Sequence, residues 1–127
     1  MIIDVEQLRD FCLSLGDDIE EKMPFAKFHA ASTVLVFYVC GHMFCYFDIE
    51  QPYLITVKCQ PERIAELRAR HEWVTAPYNS SPRHWIGIDN LHSDPQLTRE
   101  LILNSYQLVK AQYTPRARGR KATTGRR

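Results

Sequence analysis

The sequence predicts a two-layer α+β sandwich, with helices covering one face of a single, mostly antiparallel sheet in the order α-β(3)-α-β(2)-α. Three observations carry that expectation. Residues 33–59 hold three runs dense in β-branched and aromatic side chains, separated by turn residues. Residues 5–15 and 95–112 repeat apolar side chains at helical spacing. Between them, residues 73–88 contain two short strand-like runs around a turn-rich tetrapeptide.

In chain order, Asp4 is placed to cap a first helix over about 5–15, with Gln7 completing a capping box and Gly16 ending it. Val5, Leu8, Phe11, Cys12 and Leu15 form its apolar stripe. Asp17, Asp18, Glu20 and Glu21 then read as a solvated loop, because no calcium-loop spacing converges their carboxylates on a cation. After the break at Pro24-Phe25, residues 26–31 either enter the sheet as an edge strand or cross it as an irregular segment. The meander of 33–59 follows, with Gly41-His42 as its first two-residue turn. In that register Val36, Tyr38, Cys40, Met43, Cys45 and Phe47 share one face, and Leu35, Phe37, Val39, Phe44 and Tyr46 the other. Both faces are apolar, so either both are covered or one offers aromatic surface to a partner.

Pro61 opens a second helix that runs to about His71, with Ile64, Ala65 and Leu67 facing inward. Residues 73–78 and 84–88 read as strands flanking Asn79-Ser80-Ser81-Pro82, a hairpin-like wing. Asp94-Pro95 pairs a cap with a first-turn proline, and Leu97, Leu101, Ile102, Ser105, Leu108 and Val109 line a long helix to about Gln112.

A chain of 127 residues is long enough for one real core, which places a single domain over 1–113. Residues 114–127 lack apolar periodicity, so they cannot offset an ordering cost of about 1–2 kcal/mol per residue and are expected to be a disordered basic tail. Charge divides along the same line. The net charge of +1 combines ten basic and fifteen acidic side chains in 1–113, a balance of −5, with six basic and no acidic side chains in 114–127. No apolar run approaches the roughly 18–20 residues of a spanning helix, and the first residues lack the basic region of a secretory signal. A soluble, cytoplasmic protein without membrane attachment is expected. Cys12, Cys40, Cys45 and Cys59 occupy apolar positions, which predicts buried, reduced thiols.

No Cys-x-x-Cys, His-x-x-x-His, Gly-x-Ser-x-Gly or phosphate-binding glycine motif occurs. The expectation is therefore no metal, no cofactor and no catalytic residue. The group with most chemical character is Arg83-His84-Trp85, with Trp73 and Tyr78 across the presumed turn. Arg grips phosphate, His and Tyr hydrogen-bond it, and Trp stacks on an exposed base. On residue types alone Trp85, preceding Ile86-Gly87-Ile88, is more often ordinary sheet core, since aromatic side chains in strands mostly pack.

Further motifs shift that balance. Phe37-Tyr-Val-Cys-Gly-His-Met-Phe44, Val57-Lys-Cys-Gln-Pro-Glu62 ahead of a helix, Pro77-Tyr78 before Arg83-His84-Trp85, Leu101-Ile102 and Ser105-Tyr106-Gln-Leu-Val109 together resemble the MmcQ/YjbR family. The resemblance runs from the first helix to about Tyr113. It implies a two-layer α+β fold similar to frataxin-like and type III secretion-chaperone-like sandwiches, and a non-enzymatic protein that binds DNA through a double wing of hairpins. Many members carry a His-Met-Asn-Lys-like segment where this chain has Asn79-Ser80-Ser81-Pro82, which leaves Arg83 as the basic residue there.

The residues expected to contact DNA are Arg83, His84, Trp85 and Tyr78 on the wing, Lys27 and Lys58 where their faces agree, and Arg116, Arg118, Arg120 and Lys121 in the tail. Binding is expected to be weak and largely non-specific, because an acidic body opposes the counterion release that drives such binding. The alternative is a protein-interaction or chaperone-like adaptor using an exposed aromatic sheet face. An acidic iron binder built on Asp17, Asp18, Glu20 and Glu21 ranks below both.

Overall fold

The structure, a computed structural model, describes residues 1–115. It contains α1 (Val5–Ser14), β1 (Ile19–Lys22), a 3-10 turn (His29–Ala31), β2 (Val34–Val39), β3 (His42–Asp48), β4 (Leu54–Lys58), α2 (Pro61–Arg70), β5 (Val74–Thr75), β6 (Trp85–Asp89) and α3 (Pro95–Tyr113). The six strands form one sheet in the order β1-β2-β3-β4-β6-β5, every pair antiparallel. All three helices pack on one face, over a core that includes Leu8, Cys12, Phe37, Phe44, Phe47, Ile64, Ile86, Ile102 and Val109. The expected α+β class holds, with one strand more than the sequence order allowed.

That extra strand is β1, in the segment read as a solvated loop. Ile19–Lys22 pairs with β2 from Ile19↔Val39 to Lys22↔Val36, and its acids are engaged. Glu21 forms a forked ion pair with Arg9 of α1, Glu20 lies 3.6 Å from Lys22, and Asp18 bonds Tyr106 and Lys110 of α3. Charged side chains on an edge strand also discourage pairing with other chains. Residues 26–31 take the irregular alternative.

The first hairpin turns one residue earlier than expected. Cys40 and Gly41 have φ of 53° and 77° and Val39 pairs with His42, so the two-residue loop is Cys40-Gly41 with both centres left-handed. Moving the turn alone would leave the expected facing groups intact. What changes them is a bulge, since Tyr38 pairs with Met43 but Phe37 pairs with Cys45, leaving Phe44 as the extra residue. Beyond it Cys45 and Phe47 join Leu35 and Phe37 on the helical face, while Tyr46 joins Val34 and Val36 on the opposite one.

Two polar side chains hold this arrangement from inside. Ser105 Oγ of α3 donates to Phe44 O (2.6 Å) and accepts from Lys58 N (2.9 Å), so the helix is tied to the bulge and to β4 at once. Asn90, fully buried, accepts from Ile3 N and donates to Ile3 O and Pro52 O, joining the N-terminus to the end of β6. The α1 capping box of Asp4 and Gln7 and the Asp94 cap of α3 form as expected. Gly16 does not end α1 by a left-handed turn. It is small because a Cβ there would overlap the Tyr106 hydroxyl. Among the described residues no helix is long and apolar enough to cross a membrane.

Candidate nucleic-acid interface

The last register pair between β4 and β6 is Lys58↔Trp85, which sets those two side chains next to each other at the end of the sheet. Cys59 N donates to His84 O at 2.9 Å and brings His84 to the same corner. The Ser105 tie then positions the last turns of α3 above it. Lys58 Nζ donates to Gln112 Oε1 at 2.9 Å and lies 5.5 Å from the centroid of the Tyr113 ring, which also stacks parallel with His42, centroids 3.4 Å apart. Lys58, Gln60, His84, Trp85, Leu108 and Gln112 line an open cleft of about 440 Å³ here, with Glu62 as its single carboxylate. Lys58 is thus a positioned cation held by a neutral amide and a ring face. Trp85 is half-buried, tilted against Tyr46 at 6.1 Å.

The face of the sheet away from the helices is covered by two loops. Residues 23–33 and 76–84 both line a small apolar pocket with Tyr46 in it, and a larger pocket of about 280 Å³ beside it is shared by Val34, Tyr46, Tyr53, Leu54 and Tyr78. Tyr46 anchors the second loop. Its hydroxyl donates to Tyr78 O and bonds Ser80 Oγ, and burial raises its pKa, which keeps it a donor. Gly87 beneath the loop admits the close approach, because a Cβ would overlap Ala76 O. The expected strand over 73–78 is consequently cut to Val74–Thr75. Of the two expected alternatives for the sheet the covered one holds here, since the loops bury Val36 and Thr56, and the exposed aromatics Phe25, Phe28, Tyr53 and Tyr78 stand on loops and turns and not on strands.

Of the residues expected to bind, the structure brings Lys58, His84 and Trp85 into one cleft. Arg83 is exposed on the 76–84 loop outside the lining of that cleft, Tyr78 faces the apolar pockets, and Lys27 is exposed on the other loop. Arg116, Arg118, Arg120 and Lys121 lie outside the described residues. Gln112, Tyr113 and His42 were missed. Gln112 and Tyr113 meet Lys58, and His42 meets Tyr113, only through α3 docking, over more than fifty residues of sequence in the case of Gln112, and no local pattern marks such contacts.

Cys12, Cys45 and Cys59 are buried and all four thiols are free, but Cys40 is exposed at the left-handed turn position, contrary to expectation. Burial pushes the Cys45 and Cys59 thiols up, away from the reactive thiolate. Among the described residues no group of three or more His, Cys, Asp or Glu is placed to hold a metal ion.

Known proteins place the chain independently. A Deinococcus radiodurans protein described by the domain name DUF419 is 30% identical over 91% of this chain and 84% of its own, with a TM-score of 0.80. A Pseudomonas syringae protein is 21% identical over 84% of this chain and 99% of its own, with a TM-score of 0.69, and shares the fold. No curated protein matches the chain. The profile of the YjbR family matches residues 15–108, from the end of α1 into the last turns of α3, and the chain belongs to the YjbR family.

Proposed function

We propose that this protein is a non-enzymatic, cytoplasmic DNA-binding protein. It grips the nucleic acid at the sheet corner where Lys58, His84 and Trp85 converge, flanked by the loops 23–33 and 76–84 as a pair of wings. One observation carries the reading: the cation, imidazole and indole occupy a single open cleft beside the last turn of α3, after which the chain continues into six basic residues over 116–127. Lys27 on one wing and Arg83 on the other add exposed cations. The acidic body limits affinity, so binding is weak, salt-sensitive and largely independent of sequence.

The test is duplex DNA binding by the full chain as salt is varied. Each phosphate neutralised contributes about −0.9 to the slope of log affinity against log salt. Replacing Arg116, Arg118, Arg120 and Lys121 by Ala should flatten the slope by about 3 to 4 units if all four engage, and Lys58→Ala by about one. A folded chain with no DNA affinity at low salt overturns the reading. In that case the apolar pockets around Tyr46 and Tyr78 favour a protein-interaction surface, and Tyr53→Asp should abolish partner binding there.

A further inference from the structure

Resting on the DNA-binding reading, we propose that the Lys58–His84–Trp85 cleft is a subsite for one unstacked nucleotide, so that the protein prefers single-stranded over duplex nucleic acid. The cleft combines the groups a nucleotide needs in separate places. Trp85 and Leu108 supply apolar wall, the amide of Gln112 and the imidazole of His84 supply hydrogen-bonding groups, and Lys58 supplies the cation.

Trp85 lines the cleft and is half-buried, with Tyr46 tilted against it at 6.1 Å. Such a ring is a platform for a base face. His84 uses its backbone in the sheet and the loop, its N donating to Ser81 O (3.1 Å) and its O accepting from Cys59 N (2.9 Å). That fixes the residue while its imidazole, exposed, makes no hydrogen bond among the described residues. Lys58 Nζ is held at 2.9 Å from Gln112 Oε1 and needs no large reordering to meet a phosphate.

A duplex cannot use these walls. Its bases present only edges, since each face is covered by the neighbouring pair, and bringing a face to Trp85 requires unstacking. A single strand offers faces without that cost. The wings and the basic residues beyond α3 contribute to both substrates by charge, so the cleft is the part that discriminates.

The experiment uses the full chain with Trp73→Phe, which leaves Trp85 as the sole indole, and compares an oligo-dT strand, a duplex of equal length and an abasic strand of equal charge at one low salt concentration. The expected result is quenching of Trp85 by oligo-dT, with affinity about tenfold or more above both the duplex and the abasic strand. His84→Ala, a change at an exposed side chain, should reduce that ratio while leaving the thermal melt unchanged. Equal affinity for all three, or single-strand binding with Trp85 fluorescence unaltered, overturns the subsite and leaves the DNA-binding reading standing. Absence of binding to every nucleic acid by the folded chain overturns both.

Discussion

Two lysines flank the C-terminal half of α3, and the structure uses them differently. Lys110 Nζ lies 2.9 Å from Asp18 Oδ2 and 3.2 Å from the Tyr106 hydroxyl, which itself donates to Asp18 Oδ1 at 2.7 Å. The carboxylate raises the Lys110 pKa, and Lys110 followed by Tyr106 lowers that of Asp18. Lys58, on the other side of the helix, meets a neutral amide and the ring of Tyr113. Lys110 belongs to α3 and Lys58 ends β4 beside it, but one is neutralised by a partner of opposite charge and the other is only oriented. A basic side chain is available to phosphate where the fold positions it without neutralising it, and in that respect the Asp18 corner is structural and the Lys58 corner is suited to binding.

The change expected to break this contrast most severely is Ser105→Ala. It removes the donor to Phe44 O and the acceptor of Lys58 N in a fully buried position, so a loss of about 2–3 kcal/mol is expected in urea unfolding. Because the same bonds hold α3 over Lys58, DNA affinity should fall with stability.

Gly16→Ala separates the corners. Its Cβ would overlap the Tyr106 hydroxyl and crowd Asp18, at a cost of about 1–3 kcal/mol by thermal or denaturant melt. DNA affinity of the folded fraction should be unchanged. A loss of affinity matching that of Lys58→Ala would show that the corners are coupled.

Acid should weaken the Asp18 corner. The Asp18 pKa is depressed in the folded state, so its contribution is present above the unfolded value of about 3.9 and is lost as pH falls through the lower folded value. Asp18→Asn should therefore lower the melting temperature at neutral pH by a few degrees or less, and the difference from the parent should shrink below about pH 4. A difference that grows on acidification would contradict the assignment.

The smallest effect on stability is expected at Lys58 itself. Lys58→Gln should change stability by about 0.5 kcal/mol or less, as for a partly exposed charge without a charged partner, while flattening the salt slope of DNA binding by about one unit. Lys110→Gln, which removes the partner of Asp18, should instead lower the melting temperature as Asp18→Asn does, with no loss of binding.

Much of the architecture was legible in the residues. Asp4 with Gln7, Pro61, and Asp94 with Pro95 are local stereochemical signals, each acting within one turn, and the helices begin where these place them. The three central strands and the class of the fold follow from alternation and composition, which are also local. Of the residues singled out at 83–85, His84 and Trp85 line one cleft and Arg83 lies outside it, and the family resemblance from Phe37 to Val109 is matched by the family profile over 15–108.

What the tertiary structure alone decided depends on contacts between distant segments. β1 is too charged to resemble a strand, and it becomes one because β2 offers it a ladder while Arg9 engages Glu21 within it and Lys110 the preceding Asp18. The bulge at Phe44 has no mark in sequence, since its carbonyl is satisfied by Ser105, sixty-one residues away. That one extra residue reverses which side of the sheet Cys45, Tyr46 and Phe47 occupy, because side chains alternate with a period of two. The distinction between Lys58 and Lys110 has the same origin. Sequence supplies the charges of both, but only the docking of α3 determines that one meets a carboxylate and the other an amide.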